Sequence, residues 1–200
     1  MCRVCDICPW LRSSASTLAG VPRPLRLDFE NALHHVTTRG NRRQLIFESS
    51  DDFRLFLRLV GRVVKRFEWR VRDYCLMPNH FHLVVRTPKG SISRGMQLLN
   101  GRYAQMFNAY RGLDGHLFQG RFGSTLVEEH GHAVWLVRYL AMNPVEAGLC
   151  RDPSEWPWSG YGAFHQGTSP RWLARDEVFA LFGSGERAVA ACERLVLTPQ

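Results

Sequence analysis

The chain lacks any run approaching the roughly 18 consecutive apolar residues that a membrane-spanning helix needs, which leaves no transmembrane anchor in the sequence. It lacks internal repeats and low-complexity tracts, so solenoid and fibrous architectures are excluded. Residues Met1 to Gly20 hold an apolar patch around Cys8 to Leu11 without the basic-then-apolar order of a secretory signal, and a cytoplasmic protein is expected. Cysteine is sparse in the body of the chain. Cys75, Cys150 and Cys192 are isolated in apolar or helical surroundings, as reduced, packed thiols are. Cys2, Cys5 and Cys8 form C-x-x-C-x-x-C, but no nearby fourth cysteine completes an iron–sulfur set. Residues 1–21 are therefore expected to be a flexible leader outside the fold. Lysine is nearly missing: of 26 basic residues all but Lys65 and Lys89 are arginine.

What is present follows from that bias. Against 18 acidic residues the balance is +8, and arginine's planar fork of donors suits phosphate oxygens, so a nucleic acid partner competes with a merely soluble basic surface. An apolar content of 45% in 200 residues supports one domain with a real core. A short β-branched stretch over 32–38 ends at Gly40-Asn41 and predicts a strand and turn. Phe53, Phe56, Leu57, Val60, Val63, Val64 and Phe67 recur at helical spacing behind a cap at Ser50 or Asp51. Arg54, Arg58, Arg62 and Arg66 stripe the other side of that helix, as a solvated face or a phosphate track.

Residues 69–76 and 81–87 alternate as strands about a turn at Met77-Pro78-Asn79. A second helix is expected over 91–110 with Met96, Leu99, Tyr103, Met106 and Phe107 as its apolar stripe. A strand over 122–127 and a third helix over 132–143, ended by Pro144, follow. Trp156-Pro-Trp158-Ser-Gly-Tyr161 is expected to pack over the core, and a last helix to run from about 175 to 195. The pattern is α+β, with one antiparallel sheet and helices on one face.

The sharpest local feature is Pro78-Asn-His80-Phe-His82. In a strand, residues two apart point to one side, so His80 and His82 present both imidazoles to one space while Phe81 faces a core. Such a pair is half of a metal site, or a structural pair with no ligand. Tyr139 and Asn143, four apart, share one face of the third helix at the edge of the stripe made by Ala133, Leu136, Val137 and Leu140. By themselves they are a boundary aromatic and a helix-terminal residue.

The ordered set Leu76-Met-Pro-Asn-His-Phe-His82 and Arg138-Tyr-Leu-Ala-Met-Asn-Pro-Val145 resembles the single-tyrosine HUH transposases, in the branch of the REP-associated tyrosine transposases. Ala32-Leu-His-His-Val-Thr-Thr-Arg-Gly-Asn41, Phe118-Gln-Gly-Arg-Phe122 and Trp156-Pro-Trp-Ser159 with Tyr161 add to the likeness, which covers about Pro22 to Phe164. Phe81 is bulkier than the residue the family often carries between its histidines. The resemblance implies a ferredoxin-like HUH domain over 22–167, followed by a C-terminal helical extension over 168–200. It implies Tyr139 as the nucleophile, His80, His82 and Asn143 as ligands of a divalent metal, Mg2+ or Mn2+, and hairpin-bearing single-stranded DNA as the partner. The reaction implied is cleavage and rejoining through a 5′-phosphotyrosine.

Arg39, Arg42, Arg43, Arg86, Lys89 and Arg121 are expected to hold the strand. Relatives work as monomers or as homodimers that exchange helices. Competing readings are a catalytically weak DNA-binding regulator, a metal-dependent nuclease using water, and a structural zinc site. Tyr103 is the rival nucleophile, placed by its spacing inside an apolar stripe; Tyr110 and Tyr161 lie outside the motif.

Overall fold

The computed structural model describes residues 28–198. The cysteine triplet at Cys2, Cys5 and Cys8 and the whole of the expected leader, residues 1–21, lie outside the described residues. Strand β1 (Ala32–Arg39) leads into helix α1 (Ser50–Phe67), the hairpin β2 (Arg70–Met77) and β3 (His80–Thr87), helix α2 (Ile92–Arg111) and strand β4 (Gly123–Leu126). Helices α3 (His130–Glu146), α4 (Gly160–His165), α5 (Asp176–Phe179) and α6 (Gly185–Leu197) complete the chain. The sheet order is β2-β3-β1-β4 with every pair antiparallel, which is the ferredoxin-like arrangement implied by the resemblance.

Alternation along the strands sorts the two faces of the sheet. Val36, Leu76, Phe81, Leu83 and Val85 point to one face and meet Phe56, Val60 and Val63 of α1 and Met96, Leu99, Tyr103 and Phe107 of α2. Leu33, Cys75, Met77 and Val84 point to the other and meet Leu136, Tyr139 and Leu140 of α3. Helices therefore cover both faces, where the sequence predicts one, because α3 carries its own apolar stripe and the second sheet face is itself apolar.

Helix α1 starts where Ser49 and Asp52 form a reciprocal capping box, which satisfies two of the otherwise orphaned amides of the first turn. Asp52 also takes Arg111 Nη2 at 2.6 Å, tying the start of α1 to the end of α2. Met106, expected in the α2 stripe, is instead 42% exposed. Helix α3 does not stop at Pro144 but runs on to Glu146. The proline lacks an amide for the Leu140 carbonyl, yet Ala147 and Leu149 donate to the carbonyls of Asn143 and Pro144 and close the end. Burial of Ala141, Asn143 and Pro144 in that last turn outweighs the local preference.

The tail departs further from expectation. A single helix over 175–195 is replaced by the short α5, a 3-10 turn and α6, because Gly183 breaks the path with φ 116°. Cys192 and Val196 of α6 pack on Val137 and Ala141 of α3. A buried ion pair, Arg175 Nη1 to Asp73 Oδ2 at 3.0 Å, fixes the segment before α5 to β2. The Trp-Pro-Trp segment packs over the core as expected. Trp156 Nε1 donates to the Leu76 carbonyl at 3.0 Å, and the Trp158 ring stacks on Phe53 at 4.7 Å.

One glycine of α2 is required by packing. A Cβ on Gly95 would lie 2.0 Å from Cζ2 of Trp69, whose Nε1 is held by Ser91 Oγ at 3.0 Å. The Gly95→Ala variant is expected to lose about 1–3 kcal/mol of unfolding free energy despite its better helix propensity, as read from urea denaturation.

Candidate active site

The β1–β3 register sets Thr37 opposite His82 and Arg39 opposite His80, while β2 sets Cys75 and Met77 opposite the same two histidines. His80 and His82 thus sit on one central strand of the sheet, β3, on the face that α3 covers. Their rings stand 5.1 Å apart, centre to centre, and nearly perpendicular. Both are buried.

Each ring is oriented through Nδ1. His80 Nδ1 lies 2.7 Å from Asn79 Oδ1, an oxygen that can only accept, so the proton of the neutral ring is on Nδ1. His82 Nδ1 lies 3.0 Å from Nε2 of His35 on β1. The outward nitrogens, Nε2 of His80 and Nε2 of His82, are buried and have no hydrogen-bond partner. Buried polar atoms are ordinarily satisfied, so these two imidazole nitrogens each leave a ring position open to a further partner.

Burial holds all three rings neutral. It lowers His35 to about 3 with a further push from His132, and lowers His80 to about 4 with a contribution from Arg39. It lowers His82 well below the usual histidine range, helped by His80, His35 and Arg39. Neutral imidazole is the form that coordinates a metal.

Tyr139 enters from α3, its ring 5.4 Å from that of His82 and 6.2 Å from that of His35, edge-on to both. Trp135, one turn earlier, stacks on it at 4.7 Å and fixes its rotamer from the outer side. Asn143, one turn later, is 1% exposed, and neither atom of its amide has a hydrogen-bond partner. Tyr139 and the histidines converge within one chain. Tyr103, by contrast, lies on the opposite face of the sheet, packs on Phe56 and donates its hydroxyl to the Ile46 carbonyl. Tyr110 is exposed at the end of α2, and Tyr161 is buried in α4.

The basic residues divide into two groups. Arg39 and Arg121 line a polar recess of about 270 Å³ with Thr37, Thr38, Gln119, Gly120 and Gly123. Arg42 and Arg43 are exposed on a 3-10 turn after β1, both with positive φ (51° and 62°), and the Arg43 carbonyl receives Asn79 Nδ2. These four stand at the His80 end of the sheet. Arg86 and Lys89 do not join them. Arg86 is six residues further along β3, at roughly 3.3 Å each, with Nη1 on the Asn31 carbonyl. Lys89 follows that strand and pairs with Glu68.

Sequence reasoning missed His35, Asn79 and Trp135 as orienting groups. His35 stands in the quoted Leu-His-His-Val stretch, and period-2 alternation places it on the Thr37 side. Its ring partner depends on the β1–β3 register, which a sequence alone does not fix.

The matched family profile is described as transposase, IS200-like, and covers residues 29–143, from the turn before β1 to Asn143. The chain belongs to the IS200-like transposase family. The solved structure of a REP-associated tyrosine transposase bound to a REP hairpin superposes on this transposase with a TM-score of 0.61 and 19% identity, over 75% of this chain and 89% of that one. A crystal structure of a putative transposase from Deinococcus radiodurans R1 is similar with a TM-score of 0.40 and 16% identity, over 58% of this chain and 93% of that one. No curated protein matches the transposase significantly in sequence. The first of these likenesses shows a shared fold; the family membership rests on the profile.

A metal fits this site chemically: two orphaned imidazole nitrogens, with an unpartnered amide on the helix above. Among the described residues no three His, Cys, Asp or Glu side chains group as metal ligands, so an all-Cys/His structural zinc set is not present among them. The same neutral rings give a pH prediction. Each folded-state pKa lies below the ordinary histidine value of about 6.5, so acid adds protons to the unfolded chain first, and stability is lost as pH falls below that value. Each ring adds a slope of up to about 1.4 kcal/mol per pH unit. Urea midpoints of the metal-free protein are expected to fall steeply between pH 7.5 and pH 5.5, and less steeply in His80→Gln. An equal slope in the two proteins contradicts the neutral-ring account.

Proposed function

We propose that this IS200-like transposase cleaves and rejoins single-stranded DNA bearing a hairpin, with Tyr139 as nucleophile and His80, His82 and Asn143 as donors to a divalent metal. The observation that carries the reading is the pair of buried, unpartnered Nε2 atoms whose rings are each oriented through Nδ1, beside the ring of Tyr139. Imidazoles alone favour zinc, whereas two imidazoles with an amide oxygen leave room for harder ions, and Mg2+ or Mn2+ is the ion proposed. Such an ion, when bound, withdraws charge from the scissile phosphate.

The protein's own groups supply position and the covalent step. Trp135 and the α3 backbone hold the Tyr139 phenol over the sheet, so the nucleophile reaches the phosphate without a rotamer search. Its oxygen bonds to phosphorus as the bond to the 3′ oxygen breaks, leaving a 5′-phosphotyrosine and a free 3′ hydroxyl. The phosphodiester energy is kept in the tyrosyl ester, so a second 3′ hydroxyl can reverse the step and join strands without ATP. Arg39 and Arg121 in the polar recess, with Arg42 and Arg43 on the adjoining turn, supply donors for the phosphates of the strand. Arg86 and Lys89, toward the other end of β3 and just past it, stand apart from this group. The hairpin is proposed from the family likeness and from the partner in the REP-associated structure.

The test is incubation of the protein with a 5′-labelled or 3′-labelled hairpin oligonucleotide and Mn2+. A denaturation-resistant adduct is expected with the 3′-labelled strand, at least 100-fold reduced in Tyr139→Phe and in His82→Ala. Cleavage that survives Tyr139→Phe points instead to activated water. Hairpin binding without cleavage or adduct points to a DNA-binding regulator, and either result contradicts the proposal.

A further inference from the structure

We propose that His35 is a positioning residue for the metal centre: it accepts a hydrogen bond from Nδ1–H of His82 and thereby holds His82 in the tautomer whose Nε2 lone pair is free to coordinate. The inference rests on the metal reading given above and assigns a role to a side chain outside the ligand set.

The geometry is specific. His35 Nε2 and His82 Nδ1 are 3.0 Å apart, and the two rings lie nearly parallel with centres 5.2 Å apart. His35 is 2% exposed on a central strand, pairing across the ladder with Val84, so its ring reaches one step along the sheet to His82. The edge of Tyr139 closes the other side at 6.2 Å. Little freedom remains for the His35 ring to turn away.

Two neutral imidazoles in contact share one proton across the hydrogen bond, and either ring could donate it. The two arrangements differ at the far nitrogen of His82. If His35 donated, His82 would carry its own proton on Nε2, where it is buried and has no acceptor. A buried donor without a partner loses its hydrogen bond to water and gains nothing in return. If His82 donates, Nε2 presents a lone pair instead, and under-used acceptors are tolerated better than orphaned donors. The bare lone pair is also the one a cation takes up. Both arguments put the proton on Nδ1 of His82 and make His35 the acceptor.

His80 shows the same design with a partner that leaves no choice, since Asn79 Oδ1 can only accept at 2.7 Å. The two candidate ligands are therefore backed in parallel, one by an amide oxygen from its own turn and one by an imidazole from the neighbouring strand. Partners of this kind fix ligand tautomer and direction, and their loss ordinarily weakens metal binding by about 10–100-fold.

The experiment uses the full chain. Long-range 15N–1H NMR of the metal-free protein labelled at histidine is expected to show His82 protonated at Nδ1 and bare at Nε2. In His35→Phe, which keeps a ring but offers no acceptor, the His82 proton should shift to Nε2, and the Mn2+ dissociation constant should rise 10- to 100-fold by calorimetry. In His35→Gln, whose amide oxygen can accept, both the Nδ1 tautomer and most of the affinity should return. A role in packing alone predicts the opposite order, with Phe closer to wild type than Gln. Unchanged Mn2+ affinity and tautomer in His35→Phe overturn the inference while leaving the metal reading intact. If His35→Phe does not fold, His35→Gln decides: near-wild-type affinity with Nδ1–H supports the inference, and loss of either overturns it. Failure of the wild type to bind Mn2+ at all overturns the metal reading and this inference with it.

Discussion

The antiparallel ladder between β1 and β3 is the constraint on which the rest depends. Its register sets Arg39 against His80 and Thr37 against His82, and brings His35 within hydrogen-bond reach of His82. A slip of one residue would turn both imidazoles into the core beneath α1 and α2 and push Phe81 toward α3. Phe81, fully buried among Phe56 and its neighbours, is thus as much a determinant of the site as the histidines on either side of it. The apolar face holds the register, and the register aims the polar face.

The two faces of the sheet therefore do different things. The α1/α2 face is a continuous aromatic and aliphatic core, stabilised by the area it removes from water. The α3 face keeps three neutral imidazoles, an amide and a phenol under a helix, where two ring nitrogens and the amide lack partners. Unsatisfied polar atoms in such a place oppose folding, and proteins commonly keep features of that kind where function requires them. The C-terminal segment supports this face from behind: α6 packs on α3, and Arg175 locks the approach to α5 onto Asp73 of β2. Helix α3 is thereby held between the sheet and the tail, with Tyr139 on its sheet side.

Much of this was legible in the residues. Period-2 alternation around Phe81 predicts the shared side of His80 and His82, and four-residue spacing predicts the shared side of Tyr139 and Asn143. Composition, with arginine in excess, points to phosphate. What joins the two halves is tertiary: nothing in local spacing says that α3 lies on the histidine face. The role of His35 hides for the same reason, being written in cross-strand register. Pro144 misleads because its cost is local and small beside the burial of the turn that contains it. Met106 misleads because helical spacing places a residue on the stripe without saying whether it is covered: it lines a groove beside Leu59 and Val63 of α1 and stays exposed. Arg86 and Lys89 are close to the histidines along the chain but distant along an extended strand.

The central claim is that the orphaned imidazole nitrogens of His80 and His82 are metal ligands. Pulsed electron paramagnetic resonance of the protein loaded with Mn2+ tests it most directly, because nitrogen bonded to the ion gives its own modulation. The account predicts 14N couplings from two imidazoles, reduced to one in His82→Ala. Bound Mn2+ without nitrogen coupling, or couplings unchanged in that variant, would contradict it.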